Sequence, residues 1–513
     1  MKIKNHKIIL HMILGIFFFL NLFMFFNFNK FGWTTAPDFV QNEYFSNIFA
    51  RDFKMEICYD WLNEVANIYW SRWLRITTDE CVSHWSMHWF IVLEWIFKAI
   101  NYNLKYLMIP LFNLILLIFT YKITFLLYNN KNTALLAIVM TWLSASVLYF
   151  SNLFFNTIPT VAMALGFIYF LLKFKKSNNI KYLIVWLIFF WISVWIRYPI
   201  ILFLIPMFLL IFWTKKKIQS LIIILILWLI FAFPLIKTNI DLFWNITWNW
   251  WESLASVSYY SKNVSGTEWW INLKSFIDYK IFWFNIYNHF IEIYFILFLY
   301  LIFYILNISK QNKYSNIILF IIILNFYFYF IEVWWWYDLL NTISTSYSRY
   351  TLLWLILLII ILSESIRKYK KIWIVILTFW LISNINLGIN WFDSYAQWLE
   401  TQKKSVLKKQ IFLANYPEKN AIIYTSYFDK YFFPDRIAWI YTTFPEKTRL
   451  KDTAVSIKKL LKKNIPVYMI ESDWAKNYDI FKWDDYKKEI LKQWIIIEWK
   501  KPIFKFKLNN EKN

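Results

Sequence analysis

The chain has 513 residues, 59% of them hydrophobic and 17% charged, with a mean hydropathy of +0.42 and a net charge of +23. That composition excludes a disordered, collagen-like or ordinary soluble protein and describes a multi-pass membrane protein. In such a protein Lys and Arg collect in cytoplasmic loops and beside lipid headgroups, so the basic excess gives no reason to expect a nucleic-acid partner.

Lys2, Lys4 and Lys7 precede a mainly apolar run at 8–28. The run is long enough to cross a bilayer and no small-residue cleavage site follows, so we read an uncleaved first helix. Further spanning runs lie at 104–127, 132–150, 155–172, 180–196, 198–213, 218–237, 286–306, 315–333, 347–365 and 371–388. The expected fold is thus a polytopic α-helical membrane protein with about eleven transmembrane helices. The segment 84–100 is an ambiguous twelfth. Laid along the interface as an amphipathic helix, it leaves Lys122 and Lys131, Lys173 to Lys181, Lys215 to Lys217, Lys310 and Lys313, and Arg367 to Lys371 all on one side, as the positive-inside rule requires. Glu94 and Lys98 within it also argue against hydrocarbon.

This orientation puts the N-terminus in the cytoplasm of a cell-membrane protein. Residues 1–388 then form the transmembrane domain, and three segments face outward: a first loop at 29–103, a second at 238–285, and a C-terminal domain at 389–513. The last alternates strand-like runs (Ala421 to Thr425, Ile437 to Phe444, Ile465 to Ile470, Ile495 to Glu498, Ile503 to Leu508) with an amphipathic helix near 452–463, which predicts an extracytoplasmic α/β domain. Cys58 and Cys81, the two cysteines, share the first outer loop, where they either pair or stay as free thiols.

In Thr34-Thr35-Ala36-Pro37-Asp38-Phe39, Pro37 stiffens the backbone ahead of Asp38, and the first helix fixes both against the outer face. A carboxylate so placed can take a proton from an acceptor hydroxyl; the bland alternative is a cap at the start of a helix over 39–50. Arg197 and Arg349 lie at outer helix ends where basic residues are otherwise sparse. A guanidinium there fits a phosphate in a bidentate fork or else anchors the helix at the headgroups. Lys262, in the second outer loop, is a weaker third phosphate ligand. His84 and His88 have the i, i+4 spacing of a metal pair but lack a visible third ligand, so a substrate-lining role, shared with Tyr350, is preferred. No cofactor is predicted, and a divalent metal stays open.

Pro37-Asp38 after the first helix, a long first outer loop, a His-containing amphipathic segment, a basic loop followed by Ala134-Leu135-Leu136-Ala137, and Arg349-Tyr350 opening a helix occur in an order that resembles the membrane-integral glycosyltransferases of the GT-C class, in particular the protein O-mannosyltransferase and aminoarabinose-transferase group. The resemblance covers about residues 8 to 365. It implies transfer of a sugar from a polyprenyl-phosphate donor to a protein, lipid or glycan acceptor at the outer face of the lipid bilayer, usually with inversion, with Asp38 as base and Arg197 and Arg349 on the donor phosphate. Two departures stand out. The family often has Asp-Glu where this chain has Asp38-Phe39, so a second acid is missing or is supplied by Glu43. An acid often found at the outer end of the third span is here Asn152 or Asn156. The alternative class is a transporter or flippase of lipid-linked sugars, which would tend to show inverted repeats and helices broken at midplane.

Trp and Gly counts are the anomaly of the composition, at 33 and 5. An average protein of this length carries about 36 Gly, close to the two counts together. Trp also stands in hydrophilic turn contexts, at Ser-Asp-Trp474-Ala, Lys-Trp483-Asp-Asp and Glu-Trp499-Lys-Lys, where Gly supplies positive φ at no steric cost. We expect that many of these symbols are UGA codons that the organism reads as Gly; a Trp-rich interfacial protein is the alternative. Peptide mass spectrometry of protein from its native source decides: peptides covering positions 474, 483 and 499 should be lighter by the Trp-to-Gly difference, and UGG codons at all three would end the idea.

Overall fold

The computed structural model describes residues 2–29, 37–59, 74–77, 81–84, 88–197, 200–204, 217–243, 314–320, 346–368, 421–425, 437–440, 447–470, 490–495 and 503–508, with isolated positions between them. The chain divides into two compact units. One comprises 1–30, 103–237 and 246–400; the other comprises 31–102, 238–245 and 401–513.

The first unit is helical. In chain order it holds α1 (Lys2–Asn29), then α4 (Lys105–Tyr128), α5 (Lys131–Trp142), α6 (Ala145–Ser151), α7 (Thr157–Ser177), α8 (Ile180–Ile196), α9 (Ile200–Leu204), α10 (Lys217–Phe243) and α11 (Ser346–Lys368). Among the described residues four helices are long and apolar enough to cross a membrane, or five if α5 and α6 count as one broken span. The expected runs at 286–306 and 371–388 lie almost wholly outside the described residues, as does much of 198–213 and 315–333. Ile8, Met12, Phe19 and Phe23 of α1 and Ile218, Leu225, Leu229 and Phe233 of α10 are exposed, as side chains facing lipid would be.

Two turns of the same design fold this bundle. Asn129 ends α4 and Asn178 ends α7 in the left-handed region, at φ 50° and 52°, which Asn tolerates better than other side chains. In each case the next residue is again Asn and caps the following helix: Asn130 Oδ1 accepts from the Thr133 N–H and Asn179 Oδ1 from the Lys181 N–H, both at 3.0 Å. An Asn-Asn pair thus reverses the chain in two residues and makes α4 with α5, and α7 with α8, packed neighbours. At the α4–α5 corner, Tyr128 Oη donates to the Ile361 carbonyl at 3.0 Å and Thr133 Oγ1 to Glu364 Oε2 at 2.7 Å, which ties α11 to the bundle. Gly166 lets α7 meet its neighbours closely. A Cβ there would run into the Phe189 ring and lie 2.9 Å from that of Phe119.

The run 132–150, expected as one span, is broken. A bend of 64° separates α5 from α6, where Ser144 is extended. The bend follows Trp142, whose ring stacks on Phe17. The indole N–H groups of Trp142, Trp186 and Trp191 are buried with no acceptor among the described residues. Each such group costs about 1–3 kcal/mol, a cost that Gly at these positions would remove.

In the second unit, α2 (Pro37–Asp52) and α3 (His88–Ile100) pack together beside a three-stranded antiparallel sheet of β1 (Glu56–Ile57), β2 (Leu74–Ile76) and β3 (Val82–His84), in the order β1-β3-β2. The register pairs Glu56 with Ser83 and Ile57 with Val82, so the next opposed positions are 58 and 81. There Cys58 and Cys81 form a disulfide. The same unit holds a mixed sheet of β4 (Ile422–Thr425), β5 (Ile437–Ile440), β6 (Val467–Ile470), β7 (Ile490–Ile495) and β8 (Ile503–Leu508), in the order β5-β4-β6-β8-β7, with α12 (Lys447–Lys462) packed on β6 and β8. The strand expected at 495–498 lies earlier, at 490–495, because its six residues pair in antiparallel register with β8. On α12, Ser456 shares a hydrogen bond of 2.6 Å with Tyr424 Oη in the interior. Tyr468 and Lys505, opposed across β6 and β8, both donate to Glu418, at 2.6 and 2.7 Å. Burial alone would push the Glu418 carboxyl up, but these two donors outweigh it and hold it below the usual range.

The disulfide closes a loop of 23 residues, which corresponds to about 3 kcal/mol of lost chain entropy in the unfolded state. The double variant Cys58→Ser/Cys81→Ser should lose about that much stability in denaturant unfolding followed at the outer loop. An unchanged midpoint would mean that the bridge contributes nothing.

Candidate functional site

Pro37 is the first residue of α2, where its missing N–H costs nothing and its fixed φ suits the helix. The helix starts two residues before the position expected at 39, so Asp38 sits inside the first turn, one residue past Pro37, rather than at a cap before it. A carboxylate in a first turn lies close to the positive end of the helix dipole. Glu43 lies five positions on, about 140° around the same helix. It accepts from Tyr102 Oη at 3.4 Å.

What holds α2 in place is an ion pair in its interface with α3. Lys98 Nζ lies 2.6 Å from Glu94 Oε1, both side chains fully or almost fully buried, and donates as well to Ser46 Oγ and to Asn47 Oδ1 at 2.8 Å. Burial pushes the Glu94 carboxyl above its ordinary range, Lys98 pulls it back, and Glu43 pushes it up again. The spacing Glu94 to Lys98 is the favourable helical order of acid before base. In the sequence Glu94 and Lys98 are legible only as charges that keep the segment out of hydrocarbon; the fastening to Ser46 and Asn47 of α2 appears only in the fold.

His84 and His88 do not share a helix. His84 is the last residue of β3, paired with Leu74, and α3 starts at His88. The expected helix over 84–100 is thus shorter at its start, because the sheet claims 82–84, and the i, i+4 argument for a metal pair does not apply. Among the described residues no three His, Cys, Asp or Glu converge as a metal site would need.

In the helical unit, Arg197 caps the C-terminus of α8 in an extended conformation and is half-buried. The Asn156 amide donates to the carbonyl of Ile196, its neighbour, at 3.3 Å. Arg349 and Tyr350 lie near the start of α11, Arg349 in its first turn. Lys262 lies outside the described residues.

The whole chain is similar in fold to solved GT-C glycosyltransferases. ArnT from Cupriavidus metallidurans in the apo state aligns over 98% of this chain and 98% of its own, at 9% identity and a TM-score of 0.52. Its form bound to undecaprenyl phosphate aligns over 97% of each chain, at 8% identity and a TM-score of 0.57. The apo oligosaccharyltransferase of Archaeoglobus fulgidus aligns over 94% of this chain and 73% of its own, at 10% identity and a TM-score of 0.51. No protein-family model matches the chain, and neither does any curated protein.

Removing one partner of a buried ion pair leaves the other charge uncompensated, which costs roughly 3–5 kcal/mol. Lys98→Met should destabilise the outer loop by about that amount in thermal unfolding, and Glu94→Gln/Lys98→Met should recover most of it. A carboxyl raised above its unfolded value loses its contribution as pH rises through its folded titration. The Lys98→Met loss should therefore grow toward alkaline pH. Equal losses in the single and double variants would mean that the pair does not couple α2 to α3.

Proposed function

We propose that this chain, which has the GT-C fold, is an integral-membrane glycosyltransferase that moves a sugar from a polyprenyl-phosphate donor to an acceptor at the extracytoplasmic face. The observation that carries this reading is the likeness to two GT-C transferases over nearly the whole of this chain, both units included, rather than over the helices alone. ArnT, one of the two, is known bound to undecaprenyl phosphate. Nothing in these likenesses favours a transporter or flippase.

In the proposed reaction an acceptor hydroxyl attacks the anomeric carbon of the donor. A bond forms between that carbon and the acceptor oxygen, and the bond from carbon to phosphate oxygen breaks. Asp38 takes the acceptor proton, and the polyprenyl phosphate leaves with the bonding electrons. Arg197 and Arg349, with Lys262, stabilise the charge that grows on the leaving phosphate. Holding the lipid donor in the bilayer beside a loop tethered to the same bilayer supplies orientation, so positioning contributes much of the rate. The C-terminal sheet would steer the acceptor.

Charge and redox chemistry support the proposed orientation. Lys175 and Lys176 close α7, on the side read as cytoplasmic. The Cys58–Cys81 bridge fits an oxidising compartment for the outer loop. Segments 31–102 and 401–513 fall in one compact unit, which supports placing both outside.

Asp38→Asn keeps the side-chain size and removes the base. Sugar transfer to a glycoconjugate acceptor should fall by roughly 100-fold or more, with unfolding behaviour unchanged. Full activity in this variant would remove Asp38 as the base.

A further inference from the structure

The connection between α6 and α7 is buried along its whole length, from Asn152 to Asn156. Connecting chain normally faces water, because its polar groups need partners. Here the side chains are pinned in a particular sense. Asn21 of α1 donates through Nδ2 to the Ser151 carbonyl at 3.3 Å, and Asn156 through Nδ2 to the Ile196 carbonyl at 3.3 Å. A nitrogen committed to a carbonyl fixes which end of the amide is oxygen. Asn156, 2% exposed, therefore presents Oδ1 as an acceptor, and that oxygen has no donor among the described residues. Thr157 Oγ1, fully buried in the next residue, has no partner among the described residues either.

These two groups sit at the start of α7, a helix of 21 residues. Asn156 holds the cap position but makes no side-chain cap bond, since its amide is turned to Ile196. A helix that begins inside the protein without a cap carries an uncompensated positive end. The carbonyl that holds Asn156 belongs to the residue before Arg197.

The chemistry wanted at this point is specific. A helix N-terminus, a guanidinium and a hydroxyl donor suit an anion, phosphate above all. An amide oxygen beside them needs a hydrogen-bond donor, which a bare phosphate dianion lacks. A cation would satisfy the oxygens but would be repelled by Arg197 and the helix end. A phosphate that carries a polyhydroxylated group meets every requirement, and Asn156, being neutral, does not repel it. We infer that the N-terminus of α7, with Asn156, Thr157 and Arg197, is the subsite for the phosphosugar head of the donor. Thr157 and Arg197 hold the phosphate, and Asn156 Oδ1 accepts from a sugar hydroxyl. Asn156 is thereby a specificity-determining residue that separates loaded donor from spent lipid. This inference rests on the glycosyltransferase reading.

The test uses the purified full chain in lipid nanodiscs, with two probes: undecaprenyl phosphate, and undecaprenyl phosphate carrying one glucose or mannose. Affinities are read by native mass spectrometry beside unfolding midpoints. Asn156→Leu should weaken binding of the sugar-loaded lipid about tenfold and leave the bare lipid unchanged. Thr157→Val, which keeps the side-chain shape, should weaken both lipids with no change in midpoint. The subsite is overturned if Asn156→Leu alters both lipids equally or neither, or if Thr157→Val binds both as the wild type does; the glycosyltransferase reading survives those results. Wild-type protein that binds neither lipid overturns that reading, and the subsite with it.

Discussion

Hydrocarbon offers no hydrogen-bond partner, so each polar group carried into the helical unit has to find its partner in the protein. That constraint explains the architecture better than hydrophobicity does, since apolar side chains alone gain little by packing on one another in lipid. The two Asn-Asn turns satisfy both a helix C-terminus and the next helix N-terminus with one dipeptide each. Thr133 with Glu364, and Tyr128 with the Ile361 carbonyl, do the same for groups buried between α4, α5 and α11. Thr120 and Thr124 return their hydroxyls to carbonyls one turn back in α4. Other buried groups, among them Asn113 Oδ1, Thr141 Oγ1 and Ser144 Oγ, have no partner among the described residues. The buried indole N–H groups fit the expectation that some Trp symbols stand for Gly, and the uncapped start of α7 is where the ligand subsite is inferred.

The outer loop solves a different problem. Asp38, the base proposed above, sits two residues into a helix that in the proposed reaction must not drift relative to the lipid donor. A chain tethered at both ends to membrane helices restricts that motion only coarsely. The Cys58–Cys81 bridge closes the small sheet and the Glu94–Lys98 pair locks α2 to α3, so that two fastenings of different kind act on one short segment. A buried ion pair is a poor source of net stability but a good source of registry. Accurate placement of Asp38 needs registry.

Much of the fold was legible in the chain. The spans at 104–127, 180–196, 218–237 and 347–365 lie within a few residues of α4, α8, α10 and α11, because a long apolar run has one solution in a membrane. Short-range chemistry was read less well. The break after Trp142 is not legible in the run, because Thr141, Ser144 and Ser146 are residues that an unbroken membrane helix also accommodates. The start of α3 was misplaced because pairing of β3 with β2, a contact between distant residues, outcompeted local helical propensity at His84. Pro37-Asp38 and Arg197 were visible as unusual residues in their settings. Lys98 was seen as a charge but not as a clamp, for its partners Ser46 and Asn47 are about fifty residues away.

Sequence by itself determined that this is a membrane protein with several apolar helices, where many of those helices lie, and which few charged residues stand apart from the basic loops. Each of those follows from the cost of moving a side chain between water and hydrocarbon, a property of one residue or one short run. Only the tertiary structure decided that Cys58 meets Cys81, that Glu94 and Lys98 are buried together, and that Asn156 spends its amide on Ile196 and leaves its oxygen bare. Hydrogen bonds and ion pairs act over about 3 Å, so which groups are satisfied is settled by the chain that folds back beside them.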